Sequence, residues 1–104
     1  MAETQEIVTI TIPEEPRTLI GAELGRRTRE RLDLDAIDNS ASHALVRIGT
    51  PVVTVSFARG LIEPSVLALG YDGFTRKYSF DATSSVKTII QSAARLAATS
   101  KSAA

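Results

Sequence analysis

The chain has 104 residues, 12 basic and 12 acidic side chains and no cysteine. That length supports one two-layer core and not two independent ones. The charge balance advertises neither nucleic acid nor an anionic membrane surface, which leaves a protein as the expected partner. The missing cysteine excludes disulfides, thiolate metal sites and a cysteine nucleophile.

Residues 1–16 read as a strand and linker belonging to the domain. Glu6 to Ile12, EIVTITI, alternates β-branched apolar residues with polar ones, the pattern of a strand with one buried face, and Pro13 and Pro16 end it. The opening residues lack the basic segment and apolar core of a signal peptide, and no run is long enough to span a bilayer, so the sequence predicts a cytoplasmic protein.

The domain core is expected over residues 17–97. Ile20, Leu24, Thr28 and Leu32 recur every four positions and predict a helix over 18–32 with one apolar stripe. Glu23 with Arg27, and Arg26 with Glu30, are spaced as ion pairs on its other faces. Arg17, Arg26, Arg27, Arg29 and Arg31 cluster here, but interleaved Glu23 and Glu30, with Asp33, Asp35 and Asp38 close behind, make a solvated, internally paired face the expected reading. Gly21 and Gly25 lack the context of a P-loop or dinucleotide fingerprint and read as helix-start and packing residues. LDLDAIDNSAS reads as a loop, with room for a short turn. Its aspartates do not have EF-hand spacing.

Ala44 to Ile48 reads as a buried central strand, which Val52 to Val55 resume after Gly49, Thr50 and Pro51. Ala58, Leu61, Ile62, Ser65, Val66 and Leu69 then share one helical face, with Gly70 in the position of a C-cap glycine. Pro64 predicts either a kink or a second helical piece that restarts with Pro64 in its first turn. Tyr71 to Gly73 read as a turn and Arg76 to Phe80 as a short strand. Val86, Ile89, Ile90, Ala93 and Ala97 set out a last helix, with Thr83, Ser84 and Ser85 as candidate caps. Residues 98–104 have nothing large to bury and are expected to fray. Strands alternating with helices predict a small α/β domain, a mostly parallel sheet covered by about three helices.

The junction of strand and helix at Thr54, Val55 and Ser56 is the expected functional site. A hydroxyl there serves as a helix cap, the commoner use, or as a phosphate acceptor at the positive end of the helix dipole. An N-cap bond to Ala58 or Arg59 is the simplest account of Ser56. The alternative is a phospho-acceptor, adding about −1.5 to −2 charge units within reach of Arg59. Thr54 is the weaker acceptor candidate.

The segments GAELGRRTRERL, ALVRIGTPVVTVSFARGL and KYSFDATSSVKTIIQSAARLA resemble the STAS-like domain family of unknown function, a divergent branch of the STAS domains of anti-sigma-factor antagonists. The resemblance spans roughly residues 17–97 and is most specific in TVSFARGL. It implies a non-enzymatic regulatory module that binds a protein such as a serine kinase or ATPase of the anti-sigma type, and a phospho-switch at Ser56 or Thr54. The chain departs from the antagonist motif: Val55 falls near the usual acceptor, no Asp precedes it, and Phe57 replaces a glycine. Phe57 and Arg59 are the expected partner contacts.

No catalytic, cofactor-binding or metal-binding residue is assigned. His43 is the single histidine. Phe57, Tyr71, Phe74, Tyr78 and Phe80 are scattered between elements and read as core or rim packing. The competing readings are a homo-oligomer pairing through an open sheet edge, an accessory subunit, and a small enzyme using carboxylates such as Asp72 or Asp81.

Overall fold

The computed structural model describes residues 7–12 and 18–103, the last four as helical backbone alone. Residues 1–6 and 13–17 of the expected N-terminal strand and linker, Arg17 among them, lie outside the described residues. Strand β1 (Ile7–Ile12) is followed by the two-residue β2 (Thr18–Leu19), helices α1 (Ala22–Leu32) and α2 (Leu34–Asp38), and β3 (His43–Ile48). The two-residue β4 (Val52–Val53), α3 (Val55–Lys77), β5 (Tyr78–Asp81) and α4 (Ser84–Ala103) complete the chain.

The protein is an α/β domain in which every strand pairing among the described residues is parallel. The main sheet has the order β1-β3-β5, and β2 pairs with β4 separately. Ile10, Val46 and Phe80 share a register row, as do Thr11, Arg47 and Asp81. A sheet that grows in chain order through right-handed crossovers carries its helices on one side. Ile10, Ile12, Ala44, Val46, Ile48 and Tyr78 are accordingly buried, whereas Thr9, Thr11, Arg47, Ser79 and Asp81 on the opposite face are exposed.

Several boundaries differ from the sequence reading, each for a local reason. Thr18 and Leu19 are strand, not helix, because they pair with Val52 and Val53; β4 thus starts a second small sheet instead of extending β3. Val55 already belongs to α3. Gly21, with φ 97°, precedes α1 as its N-cap residue. The buried face of α1 is Gly25, Thr28 and Arg29, leaving Ile20 and Leu24 outside it. The expected loop contains α2, whose Leu34 and Ile37 are buried one turn apart. Asp33 adopts the left-handed conformation between α1 and α2 (φ 59°), which aspartate tolerates better than most residues.

α3 runs through Pro64 without a break or restart. The one residue with non-helical angles inside α3 is Gly70 (φ 78°, ψ 163°), and the helix resumes through Tyr71 to Lys77, where a turn and the start of a strand were expected. Thr83 supplies the hydroxyl at the head of α4, accepting from the Val86 N–H at 3.2 Å. The backbone of α4 stays helical from Ala98 to Ala103, where fraying was expected; Ala104 lies outside the described residues.

Helices α1 and α3 meet through glycine. A Cβ on Gly25 would overlap the Phe57 carbonyl oxygen and lie 2.8 Å from the Leu61 nitrogen; one on Gly60 would overlap the Ala22 carbonyl oxygen. The packing role expected of Gly25 is thus a backbone-to-backbone approach.

Candidate functional site

At the β4–α3 junction the cap expected of Ser56 is supplied by its neighbour. Thr54, not Ser56, caps α3: its Oγ1 accepts from the Phe57 N–H at 3.2 Å. The same oxygen accepts from the Gly21 N–H at 3.3 Å, while the Thr54 N–H donates to the Leu19 carbonyl at 3.0 Å. One threonine therefore ties the end of β2, the entry to α1 and the first turn of α3.

Ser56 stands exposed in that first turn, its Oγ 3.1 Å from the Thr54 Oγ1. A hydroxyl has two lone pairs, and both of Thr54's are engaged by backbone N–H groups. The Thr54 hydroxyl also donates to the Leu19 carbonyl at 3.5 Å, and either hydroxyl can donate in the contact between Thr54 and Ser56. Arg59, one turn on and half-buried, donates to Glu63 at 2.6 Å, so a phosphate on Ser56 would compete with that carboxylate for the guanidinium.

Phe57 is fully buried, which corrects its expected place on a contact surface. Capping by Thr54 sets the helical register so that Phe57 joins Ala58, Leu61, Ile62 and Ser65 on the face turned to the core. Large apolar side chains do lie open around the junction, but they are Ile20 (61% exposed), Val52 (51%) and Leu24 (37%). Ile20 sits between two residues bonded to Thr54, Val52 precedes Thr54 by two, and Leu24 is in the first turn of α1.

A second polar constellation lies in the interior. The Arg29 and Asp38 side chains are each 6% exposed and meet at 2.6 Å. Arg29 uses all five of its donors: Nε and Nη2 to the Asp35 carboxylate, Nη2 also to Asp38, and Nη1 to the Leu61 carbonyl and the Ser65 hydroxyl. Ser65 donates onward to Asp38 at 2.8 Å, and the Tyr78 hydroxyl reaches Asp38 at 2.5 Å. Burial pushes the Tyr78 phenol up, and its hydrogen bond to Asp38 adds to the shift. The network joins α1, α2, α3 and β5, and no buried side-chain polar atom among the described residues lacks a partner.

This network overturns the solvated reading of the arginine cluster at one position. The expected Glu23–Arg27 pair forms on the surface at 3.0 Å, whereas Arg29 points inward. The signals for it were Arg29's place on the Gly25–Thr28 face and Ser65 on the otherwise apolar stripe of α3. Asp35 and Asp38 were read as turn formers, and their i,i+3 spacing within a short amphipathic helix was the missed sign.

The remaining candidates stay apart. Asp72 is exposed on the resumed part of α3, and Asp81 ends β5 with Arg47 at 3.6 Å. His43 begins β3 beside Ile7 in the register. Among the described residues, no group of three or more His, Asp or Glu side chains is arranged to hold a metal, and no helix is long and apolar enough to cross a membrane. Phe74, Tyr78 and Phe80, scattered in the sequence, come together as neighbouring rings with centroids 5.2–6.4 Å apart.

No family model, curated protein or solved structure matches this chain.

Proposed function

We propose that this protein is a non-enzymatic, STAS-like regulatory module that binds a protein partner, a serine kinase or ATPase of the anti-sigma type, through the β4–α3 junction. The observation that carries this reading is the placement of an exposed Ser56 in the first turn of α3, beside the uncovered side chains of Ile20, Val52 and Leu24. Apolar surface flanking a modifiable hydroxyl suits a contact that a phosphate would disrupt by bringing charge into it. Ser56 is the acceptor in this proposal because Thr54 is committed to backbone groups. The contact is assigned to Ile20 and Val52 in place of the buried Phe57, with Arg59 at its edge.

Affinity capture of the tagged full chain from its native lysate, with mass spectrometry of co-purifying proteins and of phosphate on residues 54 and 56, tests the proposal. The expected result is an ATPase retained by the native chain, lost from a folded Ile20→Asp/Val52→Asp variant, and phosphate on Ser56 in the unbound fraction. Equal retention by that variant would remove the proposed face, and phosphate on Thr54 alone would remove the proposed switch.

A homo-oligomer is the second reading, favoured by one observation. Parallel sheets are ordinarily covered on both faces, and here the face bearing Thr9, Thr11, Arg47 and Ser79 is open. Mass in solution that rises with concentration, and that Leu45→Lys abolishes, would favour it.

A further inference from the structure

The break at Gly70 creates a feature that the junction does not explain. Its angles, φ 78° and ψ 163°, lie in a region that is essentially glycine's alone, and beyond its chain neighbours and the nearby backbone of its own helix no atom would meet an added Cβ within 4 Å. The conformation is therefore required by the path of the chain and not by crowding. It redirects the last two turns of α3 alongside β5 and α4.

Between these elements lies a cavity of about 230 Å³. One wall is Tyr71, Phe74, Thr75 and Tyr78; the other is Lys87, Ile90, Gln91 and Ala94. Lys87, Ile90, Gln91 and Ala94 form a single stripe of α4, while Tyr71, Phe74 and Thr75 share one face of the resumed α3 and Tyr78 continues that wall from the start of β5. Phe80 joins the first wall, where the Phe74 and Tyr78 rings are stacked at 5.2 Å and those of Tyr78 and Phe80 at 6.4 Å. Pockets for drug-sized ligands have volumes of about 300–1,000 Å³, so this smaller cavity suits a molecule of one ring.

The polar groups of the cavity are unequally committed. The Tyr78 hydroxyl is engaged by Asp38 and the Thr75 hydroxyl donates to the Asp72 carbonyl, so Tyr78 offers the cavity its ring. Lys87 is the one charged residue of the lining, no carboxylate lines it, and no ion pair of the Lys87 ammonium is found among the described residues. Lys87 lies in the first turn of α4, where the helix dipole also favours an anion, and Gln91 adds an amide donor one turn on.

We propose that this cavity binds a free, single-ring aromatic carboxylate, its ring against Phe74, Tyr78 and Phe80 and its carboxylate on Lys87 and Gln91. The aromatic wall provides a flat apolar surface for offset stacking. The lone cation sets the ligand's charge and orientation, since hydrogen bonds between ionised partners are roughly twice as strong as neutral ones. The site is formed at the far end of α3 from Ser56 and does not depend on the function proposed for that junction.

The test is a nitrogen–proton NMR titration of the full chain with benzoate, and with benzyl alcohol as the neutral probe of similar size. Saturable shifts centred on Tyr71, Thr75, Lys87 and Gln91 are expected, with benzoate the tighter ligand. Lys87→Gln, an exposed substitution that leaves the fold intact, should weaken benzoate roughly tenfold and leave benzyl alcohol unchanged. Gly70→Ala should weaken both probes by disturbing the wall. Absence of saturable shifts, equal affinity for the two probes, or benzoate binding indifferent to Lys87→Gln would each overturn the proposal. Groove shifts that depend on protein concentration without a probe would also overturn it, assigning the cavity to a second copy of the chain.

Discussion

Helix α3 faces two neighbours, and the two interfaces are built on different physics. Toward α1 it presents Gly60 to bare backbone and receives Arg29 on the Leu61 carbonyl and Ser65. Toward α4 the core is supplied by Val86, Ile90, Ala93, Ala94 and Ala97, with the aromatic-walled cavity at one end. The first interface is directional: hydrogen bonds and hard backbone contact permit one register. The second is apolar and incompletely filled, so it tolerates changes of volume better. A helix pair fixed by polar contacts and glycine holds the frame, while its other side has room for a ligand.

The largest expected effect comes from breaking the directional interface at its centre. Asp38→Ala takes the buried carboxylate from Arg29, Ser65 and Tyr78 together and leaves Arg29 only the exposed Asp35 as a counter-ion. Removing one member of a buried ion pair costs about 3–5 kcal/mol, which urea unfolding would register as a large fall in midpoint. Replacing both partners, as Arg29→Met with Asp38→Leu, should recover much of that loss, because well-packed apolar groups avoid the desolvation of two charges. Failure to recover would mean that the network supplies net stability as well as register.

Gly60→Ala is the next largest. At an unconstrained helical site the change is favourable by about 1 kcal/mol. Here the new Cβ overlaps the Ala22 carbonyl, an atom held in the backbone of α1, and the sign inverts. Overpacking of this kind costs about 1–3 kcal/mol. Ala94→Gly in α4 is the useful contrast, since it loses propensity and a buried methyl without any clash. A Gly60→Ala variant as stable as the native chain would show that the α1–α3 approach has slack.

The same contrast explains how much of the molecule was legible in its sequence. Regular apolar periodicity exposed β1, β3, α4 and most of α3, because each buries side chains at a fixed spacing. The α1–α3 contact was illegible in that language: glycine buries no side chain, so Ile20 and Leu24 were read as the core stripe although they face outward. Arg29 was hidden among four neighbouring arginines and is distinguished only by what lies opposite it. At the candidate site, Thr54 and Ser56 were recognised together, but their division of labour depends on Gly21, a partner 33 positions away. The turn expected after Gly70 failed for a similar reason: glycine and aspartate suited a turn locally, while Phe74 and Tyr78 bury their rings as parts of the resumed helix and β5.

Tyr78 belongs to both interfaces, its hydroxyl in the polar network and its ring in the cavity wall, and Tyr78→Phe separates the two. At neutral pH the substitution removes one hydrogen bond to a carboxylate that keeps Arg29 and Ser65, a loss of about 1.5 kcal/mol. The ring wall is preserved, so the affinity for benzoate should not move. The loss should also depend on pH in a definite direction. Because burial raises the phenol above its ordinary value of about 10, the folded protein keeps this proton where the unfolded chain releases it. The unfolded state then binds fewer protons, and stability falls as pH rises. The contribution is complete below about pH 10 and is progressively lost above it, so the difference between native chain and Tyr78→Phe should narrow there. Urea midpoints of both proteins measured near neutrality and again above pH 10 check this; a difference that stays constant would mean that the Tyr78 proton is not held by Asp38.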